Sequence, residues 1–168
     1  MGDLTVNFDS AEFCRSATAR RWGIDMTPPP VVVANLRRLC VHVLQPLRDD
    51  LCRADTRRQV CVTSGWRPEE LNRRIGGAAQ SQHVIGLAAD IEVAGVTALE
   101  VCARIRGLLL PFDQLIHEFG AWCHVSVAAM GDPPRGEVLT AWRDAEGHVH
   151  YLSGLLSLDE CRRLVAGV

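Results

Sequence analysis

The sequence predicts a single α+β domain: a mainly antiparallel sheet with helices packed on one side of it. Helical and strand periodicities alternate along the chain, and the strand-like runs occur in hairpin pairs, which is typical of α+β proteins. The 168 residues are 48% apolar, which is enough to bury one sizeable core. No repeat, low-complexity stretch or long linker divides the chain, so we expect one domain over residues 1–168.

The first half of the chain, after an N-terminal segment over residues 1–30, contains two predicted helices and one predicted strand. Apolar residues at helical spacing predict a long amphipathic helix; they are Val32, Leu36, Leu39, Val43 and Leu47. Residues 60–63 are rich in β-branched side chains and end at a Ser-Gly turn signal, which predicts a short buried strand. Residues 68–74 begin with proline and precede two glycines, which predicts a short helix.

The second half contains one further predicted helix and several strands. Residues 89–93 alternate polar and apolar side chains, as a strand with one wet face does. Thr97 and Glu100 form a capping-box pattern at the start of a helix predicted over residues 97–110. The remaining strand-like runs predict two hairpins, residues 112–118 with 122–127 and residues 138–142 with 149–152.

The composition excludes several classes of function. All 18 basic residues are arginine, so chemistry that needs a lysine, such as Schiff-base formation, is excluded. The formal net charge of -2 provides no basic surface for nucleic acid, so we expect no nucleic-acid partner. No apolar run approaches the roughly 18 residues of a membrane span. The N-terminus lacks a basic segment followed by an apolar run, so we expect no signal peptide and synthesis in a cytoplasm.

Residues 81–90 contain a candidate pair of metal ligands, His83 and Asp90. The stretch is turn-like and rich in small residues, which let backbone segments approach closely, and it leads directly into a strand. An imidazole and a carboxylate seven positions apart can therefore converge on one point. In the alternative interpretation, His83 only caps a turn.

His124 is a candidate third ligand. Strand alternation places it on one face with Trp122 and Ser126, opposite to its apolar neighbours. Two histidines and one carboxylate on zinc, with water in the fourth position, are typical of a catalytic site rather than a structural one. Zinc lowers the pKa of that water and polarises a carbonyl, which permits amide hydrolysis. In the alternative, His124 pairs with a surface carboxylate.

Glu118 is the candidate general base. If the strands on either side of it form a hairpin with a three-residue loop, Glu118 lies opposite Trp122 and diagonal to His124. That diagonal is about 7–8 Å long before side-chain reach is counted. His117 points to the other face and is left out of the site. The alternative for Glu118 is a solvated carboxylate at a turn.

Arg67 is the candidate for stabilising negative charge. It follows the predicted strand over residues 60–63 through a glycine turn and precedes the His83 region. An arginine in this place can bind a substrate carboxylate or a developing oxyanion, whereas the alternative is an ordinary surface arginine.

Other chemistries have weaker support in the sequence. His148 and His150 lie on one face of the late hairpin and could bind metal, but Glu146 in the turn is the carboxylate available to complete that site. Ser64 and Ser81 lack a nucleophile elbow, and the glycines at 76 and 77 lack the spacing of a phosphate loop.

Several motifs together resemble those of one enzyme family. They are Ser64-Gly65-Trp66-Arg67, Leu71-Asn72, Gly76-Gly77, Ser81-Gln82-His83, Gly86-Leu87-Ala88-Ala89-Asp90 and Trp122-Cys123-His124-Val125-Ser126. Over residues 8–155 the chain resembles the zinc D-alanyl-D-alanine carboxypeptidases and L-alanyl-D-glutamate endopeptidases of bacterial cell walls and phage endolysins. These enzymes are related to the vancomycin-resistance dipeptidases and share the hedgehog fold.

The resemblance implies a residue for each part of the site. It implies zinc ligation by His83, Asp90 and His124, and substrate contacts from Arg67, Ser81, Gln82 and Trp122. Relatives often carry the catalytic acid or base two or three residues before the last ligand, where this chain has Trp122 and Ala121. Glu118 is then the nearest candidate. Within the domain we expect a catalytic core over residues 31–130 and a C-terminal hairpin over residues 136–156.

The predicted function is that of a monomeric zinc metallopeptidase acting on the peptidoglycan stem peptide, of carboxypeptidase or endopeptidase type. We expect a phage endolysin in the host bacterial cytoplasm before release to the wall, or a virion-associated lysin. The alternative is a catalytically silent, zinc-containing virion or cell-wall-binding module. A third interpretation is a domain whose motifs bind no metal.

Overall fold

A computed structural model describes residues 2–54 and 58–166 and confirms the predicted α+β class. The helices are α1 (Ser10–Phe13), α2 (Ala17–Trp22), α3 (Pro30–Leu39), α4 (Gln45–Ala54), α5 (Glu69–Arg74), α6 (Ala98–Gly107) and α7 (Leu158–Ala166). The strands are β1 (Val60–Ser64), β2 (Ala88–Val93), β3 (Gln114–Glu118), β4 (Trp122–Ser126), β5 (Glu137–Arg143) and β6 (Val149–Ser153). They form one six-stranded sheet in the order β1-β2-β4-β3-β5-β6.

The predicted long helix is present, and it extends beyond the predicted residues at both ends. Pro30 occupies its first turn, where a missing N–H costs nothing, and a π-helical turn over Cys40–Leu44 joins α3 to α4. The predicted apolar face is buried; it comprises Val32, Leu36, Leu39, Val43 and Leu47. Burial of this face explains why the helix packs against the rest of the domain.

The centre of the sheet separates an apolar face from a polar one. On one face Leu115, Cys123 and Val125 are fully buried, and α6 contacts β2, β3 and β4. The side chains that alternate with these point to the opposite face and include Asp90 and His124, which are directly paired across β2 and β4. The site therefore lies on the face of the sheet opposite to α6.

Both predicted hairpins form, although the sheet is not antiparallel throughout. β3 pairs with β4 around a turn in which Phe119 and Gly120 have φ angles of 56° and 71°, as a type I′ turn requires. β5 pairs antiparallel with β6 but parallel with β3, so the C-terminal hairpin extends the sheet beyond the central strands. Four of the five strand pairings are antiparallel.

Some boundaries differ from the prediction, and some elements were not predicted. The helix predicted over residues 97–110 ends at Gly107, since Leu109 has a φ angle of 54° and Pro111 follows. The short helices α1 and α2 and the C-terminal helix α7 were not predicted.

Among the residues that the structure describes, every helix is too short or too polar to cross a membrane.

Candidate metal centre and active-site cleft

Three side-chain atoms converge on the polar face of the sheet: His83 Nε2, Asp90 Oδ1 and His124 Nδ1. The two nitrogens are 3.2 Å apart, and Asp90 Oδ1 lies 3.3 Å from the His83 nitrogen and 2.9 Å from the His124 nitrogen. Within residues 2–54 and 58–166, this is the one group of three histidine, cysteine or acidic residues whose ligand atoms all approach within 4.8 Å. The sequence-predicted triad is therefore brought together in space.

His83 is held by the segment that follows β1. Its Nδ1–H donates to the carbonyl oxygen of Gly65 at 2.7 Å, which fixes the tautomer and leaves the Nε2 lone pair available. The backbone N–H of Arg67 donates to the carbonyl of His83, so the two segments are joined at both residues. Gly65 must be glycine here because a Cβ atom would lie 2.5 Å from Cα of Phe13.

The loop between His83 and Asp90 is anchored on α3. Gly86 adopts a φ angle of 76°, and a Cβ atom there would lie 2.9 Å from the Val32 side chain. Asn35 donates from its side-chain nitrogen to the carbonyl of Ile85. These contacts explain the glycine of the Gly-x-Ala-x-Asp motif: it permits the turn that delivers Asp90 onto β2.

The protonation preferences of the triad suit a cation. Burial lowers the pKa of His83, which favours the neutral imidazole that a metal ligand requires. Burial opposes ionisation of Asp90, but the hydrogen bond from His124 and the adjacent imidazole of His83 hold the pKa of Asp90 well below its ordinary value. Two imidazoles thus face an ionised carboxylate.

The donor set fits zinc. Zinc binds histidine nitrogens and carboxylate oxygens at about 2.0–2.2 Å, so neighbouring ligand atoms of a tetrahedral site are about 3.3–3.5 Å apart. The observed separations of 2.9–3.3 Å are close to that spacing. The three residues line a cleft of about 430 Å³, which leaves room on one side for water and substrate. A larger cavity of about 610 Å³ near Asp50 and Arg104 contains none of the three.

Glu118 also lines this cleft. It is paired with Trp122 across the hairpin, while Ile116 is paired with His124, so Glu118 is diagonal to His124 as the sequence predicted. Burial raises the pKa of Glu118; the charge of Asp90 adds to the rise, and His124 and Arg67 oppose it. A carboxyl group with a raised pKa accepts and returns a proton more readily near neutral pH.

His117 lies outside the cleft, as expected from strand alternation. Its side chain is buried, and Nδ1–H donates to the carbonyl of Leu156 at 2.9 Å. It therefore joins β3 to the segment before α7.

The side chain of Arg67 lines the cleft, and one of its N–H donors has no hydrogen-bond partner among the described residues. Its Nε is buried and makes no hydrogen bond to any residue that the structure describes. Burial lowers the pKa of Arg67, and the charges of Asp90 and Glu118 counteract that effect. The guanidinium of Arg67 lines the cleft together with Asp90 and Glu118, where a charged donor can bind a carboxylate or an oxyanion.

The remaining predicted substrate contacts all line the cleft. Ser81, Gln82 and Trp122 are among its lining residues. The side-chain nitrogen of Gln82 is already used, since it donates to Asp113 at 2.9 Å. The indole Nε1 of Trp122 is buried, and it makes no hydrogen bond of normal geometry within the described part of the chain. It nevertheless lies close to Glu118 and offsets part of the rise in the pKa of that carboxyl group.

The structure adds a buried network beside the cleft that sequence reasoning missed. Asp113 accepts hydrogen bonds from Gln82 and from the guanidinium and backbone N–H of Arg135. Burial disfavours the charged form, but Arg135 and Gln82 lower the pKa of Asp113. Tyr151, on β6, is a further lining residue that was not predicted. No motif contains Asp113, Arg135 or Tyr151, so only the folded chain reveals them.

The carboxylate predicted beside His148 and His150 is wrong. Glu146 is not its carboxylate partner: Asp144 Oδ2 lies 2.6 Å from His150 Nε2 and 3.3 Å from His148 Nδ1. Asp144 also accepts a hydrogen bond from the backbone N–H of His148, so these contacts close the β5–β6 turn.

Comparison with known proteins relates the chain to one family. A family model described as Peptidase M15 matches residues 6–126, which is most of the chain and includes all three candidate ligands. A search of curated proteins found no match. The family match confirms the resemblance to zinc D-alanyl-D-alanine carboxypeptidases that the motifs indicated.

Proposed function

The chain belongs to the peptidase M15 family, and we propose that it is a zinc metallopeptidase that hydrolyses a peptide bond in bacterial peptidoglycan. The observation that carries this proposal is the convergence of His83, Asp90 and His124 on one point in an open cleft. The reaction is of the D-Ala-D-Ala carboxypeptidase or L-Ala-D-Glu endopeptidase type. In this proposal the protein acts as a phage endolysin or a virion-associated lysin.

The proposed mechanism divides the chemistry among residues of the cleft. His83, Asp90 and His124 would hold zinc, which supplies Lewis acidity towards a carbonyl oxygen and a water molecule. Glu118 removes a proton from the attacking water and returns it to the leaving amine, for which its raised pKa is suited. Arg67 donates to the oxygen on which negative charge develops. Gly65 keeps the His83 ring in its binding orientation.

Digestion of purified peptidoglycan with the zinc-loaded protein tests this proposal. We expect release of D-alanine or of stem-peptide fragments, identified by mass spectrometry, and loss of this release in the presence of a chelator. The new termini identify the bond that is cut. If sacculi and soluble stem peptides carrying all candidate bonds remain intact, the proposed function is wrong.

Arg67→Ala is expected to lower turnover by about 10²- to 10³-fold, as removal of one oxyanion donor does in other hydrolases. Zinc content should not change, because no ligand atom is removed. Arg67→Lys is the matched control: it retains a charge but loses the planar set of donors, so we expect partial recovery. Steady-state kinetics on the released product measure the effect. Wild-type turnover in Arg67→Ala would assign the buried guanidinium a structural function only.

A further inference from the structure

The C-terminal hairpin supplies one end of the cleft. The family match covers residues 6–126, whereas β5 and β6 lie beyond it and contribute Tyr151 to the cleft lining. β6 is at one edge of the sheet, and Arg67 follows β1 at the other edge. The cleft therefore runs across the strands, with the three candidate ligands on its central strands and adjoining loop and Tyr151 at its far end.

Tyr151 belongs to a row of paired residues that crosses four neighbouring strands and includes Glu118, the candidate base. Glu118 is paired with Trp122 on one side and with Ala141 on the other, and Ala141 is paired with Tyr151. Paired residues on neighbouring strands point to the same face, so all four face the cleft side of the sheet. Neighbouring strands are about 4.8 Å apart, which places Tyr151 about 10 Å from Glu118 along the row.

The surroundings of Tyr151 leave its side chain available to a ligand. Ala141 carries only a methyl group, so no bulky side chain separates Tyr151 from Glu118 above the sheet. Tyr151 is 57% exposed, so much of its side chain is open to a ligand. Burial and the charge of Glu118 raise the pKa of Tyr151, in keeping with the short distance across Ala141.

We propose that Tyr151 contacts the bound peptide and helps to determine specificity: its hydroxyl donates to a carbonyl or carboxylate oxygen of the substrate, and its ring covers the adjoining backbone. This inference rests on the proposed peptidase function. An extended peptide lying across the sheet from Arg67 to Tyr151 would meet a donor at each end and the candidate ligands between them. The cleft thus favours a substrate with oxygen acceptors on both sides of the scissile bond.

The chain contains one tyrosine, which permits a direct test of contact. Labelling with 3-fluorotyrosine gives a single ¹⁹F resonance, from position 151. The zinc-loaded Glu118→Gln protein is titrated with a soluble stem pentapeptide ending in D-Ala-D-Ala and with a soluble L-Ala-D-Glu stem fragment. We expect a saturable shift of the resonance with the peptide that the wild type cleaves, and no shift with an all-L peptide of equal length.

Kinetics of Tyr151 variants provide the second measurement. Tyr151→Phe removes one hydrogen bond and should lower kcat/KM by about 3- to 10-fold, mainly through KM. Tyr151→Ala also removes the ring and should lower kcat/KM by at least about 10-fold. Val149→Ala is the control, since Val149 is exposed on the same strand but does not line the cleft. Zinc content should be equal in all of these proteins.

The outcomes separate this inference from the function on which it rests. If the wild type cleaves peptidoglycan but both Tyr151 variants have wild-type kinetics and the ¹⁹F resonance does not move, the substrate contact is wrong and the peptidase assignment stands. If the wild type cleaves none of the candidate bonds, both proposals are wrong. A shift accompanied by a raised KM in Tyr151→Phe supports the contact, because that variant keeps the ring and its packing.

Discussion

Glu118→Gln is expected to bind about one zinc ion per chain and to hydrolyse peptidoglycan about 10²- to 10⁴-fold more slowly than the wild type. Glutamine has nearly the same shape but cannot accept a proton, and general acid–base catalysis contributes a factor of that size. Zinc binding should persist because Glu118 lies outside the ligand triad and is only diagonal to His124. Elemental mass spectrometry and product release, measured on the same preparation, check both parts.

Glu92→Gln is the matched control for this prediction. Glu92 is an exposed carboxylate on β2, and its replacement should leave turnover unchanged. If Glu118→Gln is as active as the wild type, a different group moves the proton. If neither the wild type nor Glu118→Gln cleaves peptidoglycan although both bind zinc, the protein is better described as a catalytically silent, zinc-containing binding module.

The position of Glu118 shows how much a local pattern can predict. Relatives often carry the acid or base nearer to the last ligand, where Trp122 and Ala121 cannot transfer a proton. Strand alternation and a three-residue loop nevertheless put Glu118 on the His124 face, and the observed register agrees with that prediction. Hairpin register depends on residues close in sequence, which is why it could be derived without the rest of the fold.

The same local rules would have identified more elements than we predicted. The capping box of Thr97 and Glu100 was recognised, but the equivalent Ser157–Glu160 pair begins α7 and was not used. Asp9 and Glu12 likewise form a capping box at α1. Helix α1 has only four residues, so its periodicity alone is a weak signal, whereas α7 has apolar residues at five of its nine positions.

Contacts between residues distant in sequence account for the parts of the cleft that no local sequence pattern predicts. The parallel pairing of β5 with β3 brings Tyr151 into the cleft, although 33 residues separate it from Glu118 in sequence. The approach of Gly65 to Phe13 and the ion pair of Asp113 with Arg135 are likewise contacts between distant segments. A motif records which residues a site needs, whereas the elements that enclose the site depend on topology.

His83→Ala is expected to reduce zinc from about one ion per chain to a trace and turnover by about a thousandfold or more. Loss of a ligand removes several kcal/mol of transition-state stabilisation, and each 1.36 kcal/mol is a factor of ten. Zinc that binds only the folded wild type at 100 times its Kd adds about 2.7 kcal/mol of stability. Chelator should therefore lower the Tm of the wild type but not that of His83→Ala.

His42→Ala is the control for this prediction: His42 is an exposed histidine, so its replacement should retain zinc and activity. Full zinc occupancy in His83→Ala would contradict the His83, Asp90 and His124 ligand set. A wild type without zinc and without a Tm response to chelator would leave an M15 fold that binds no metal.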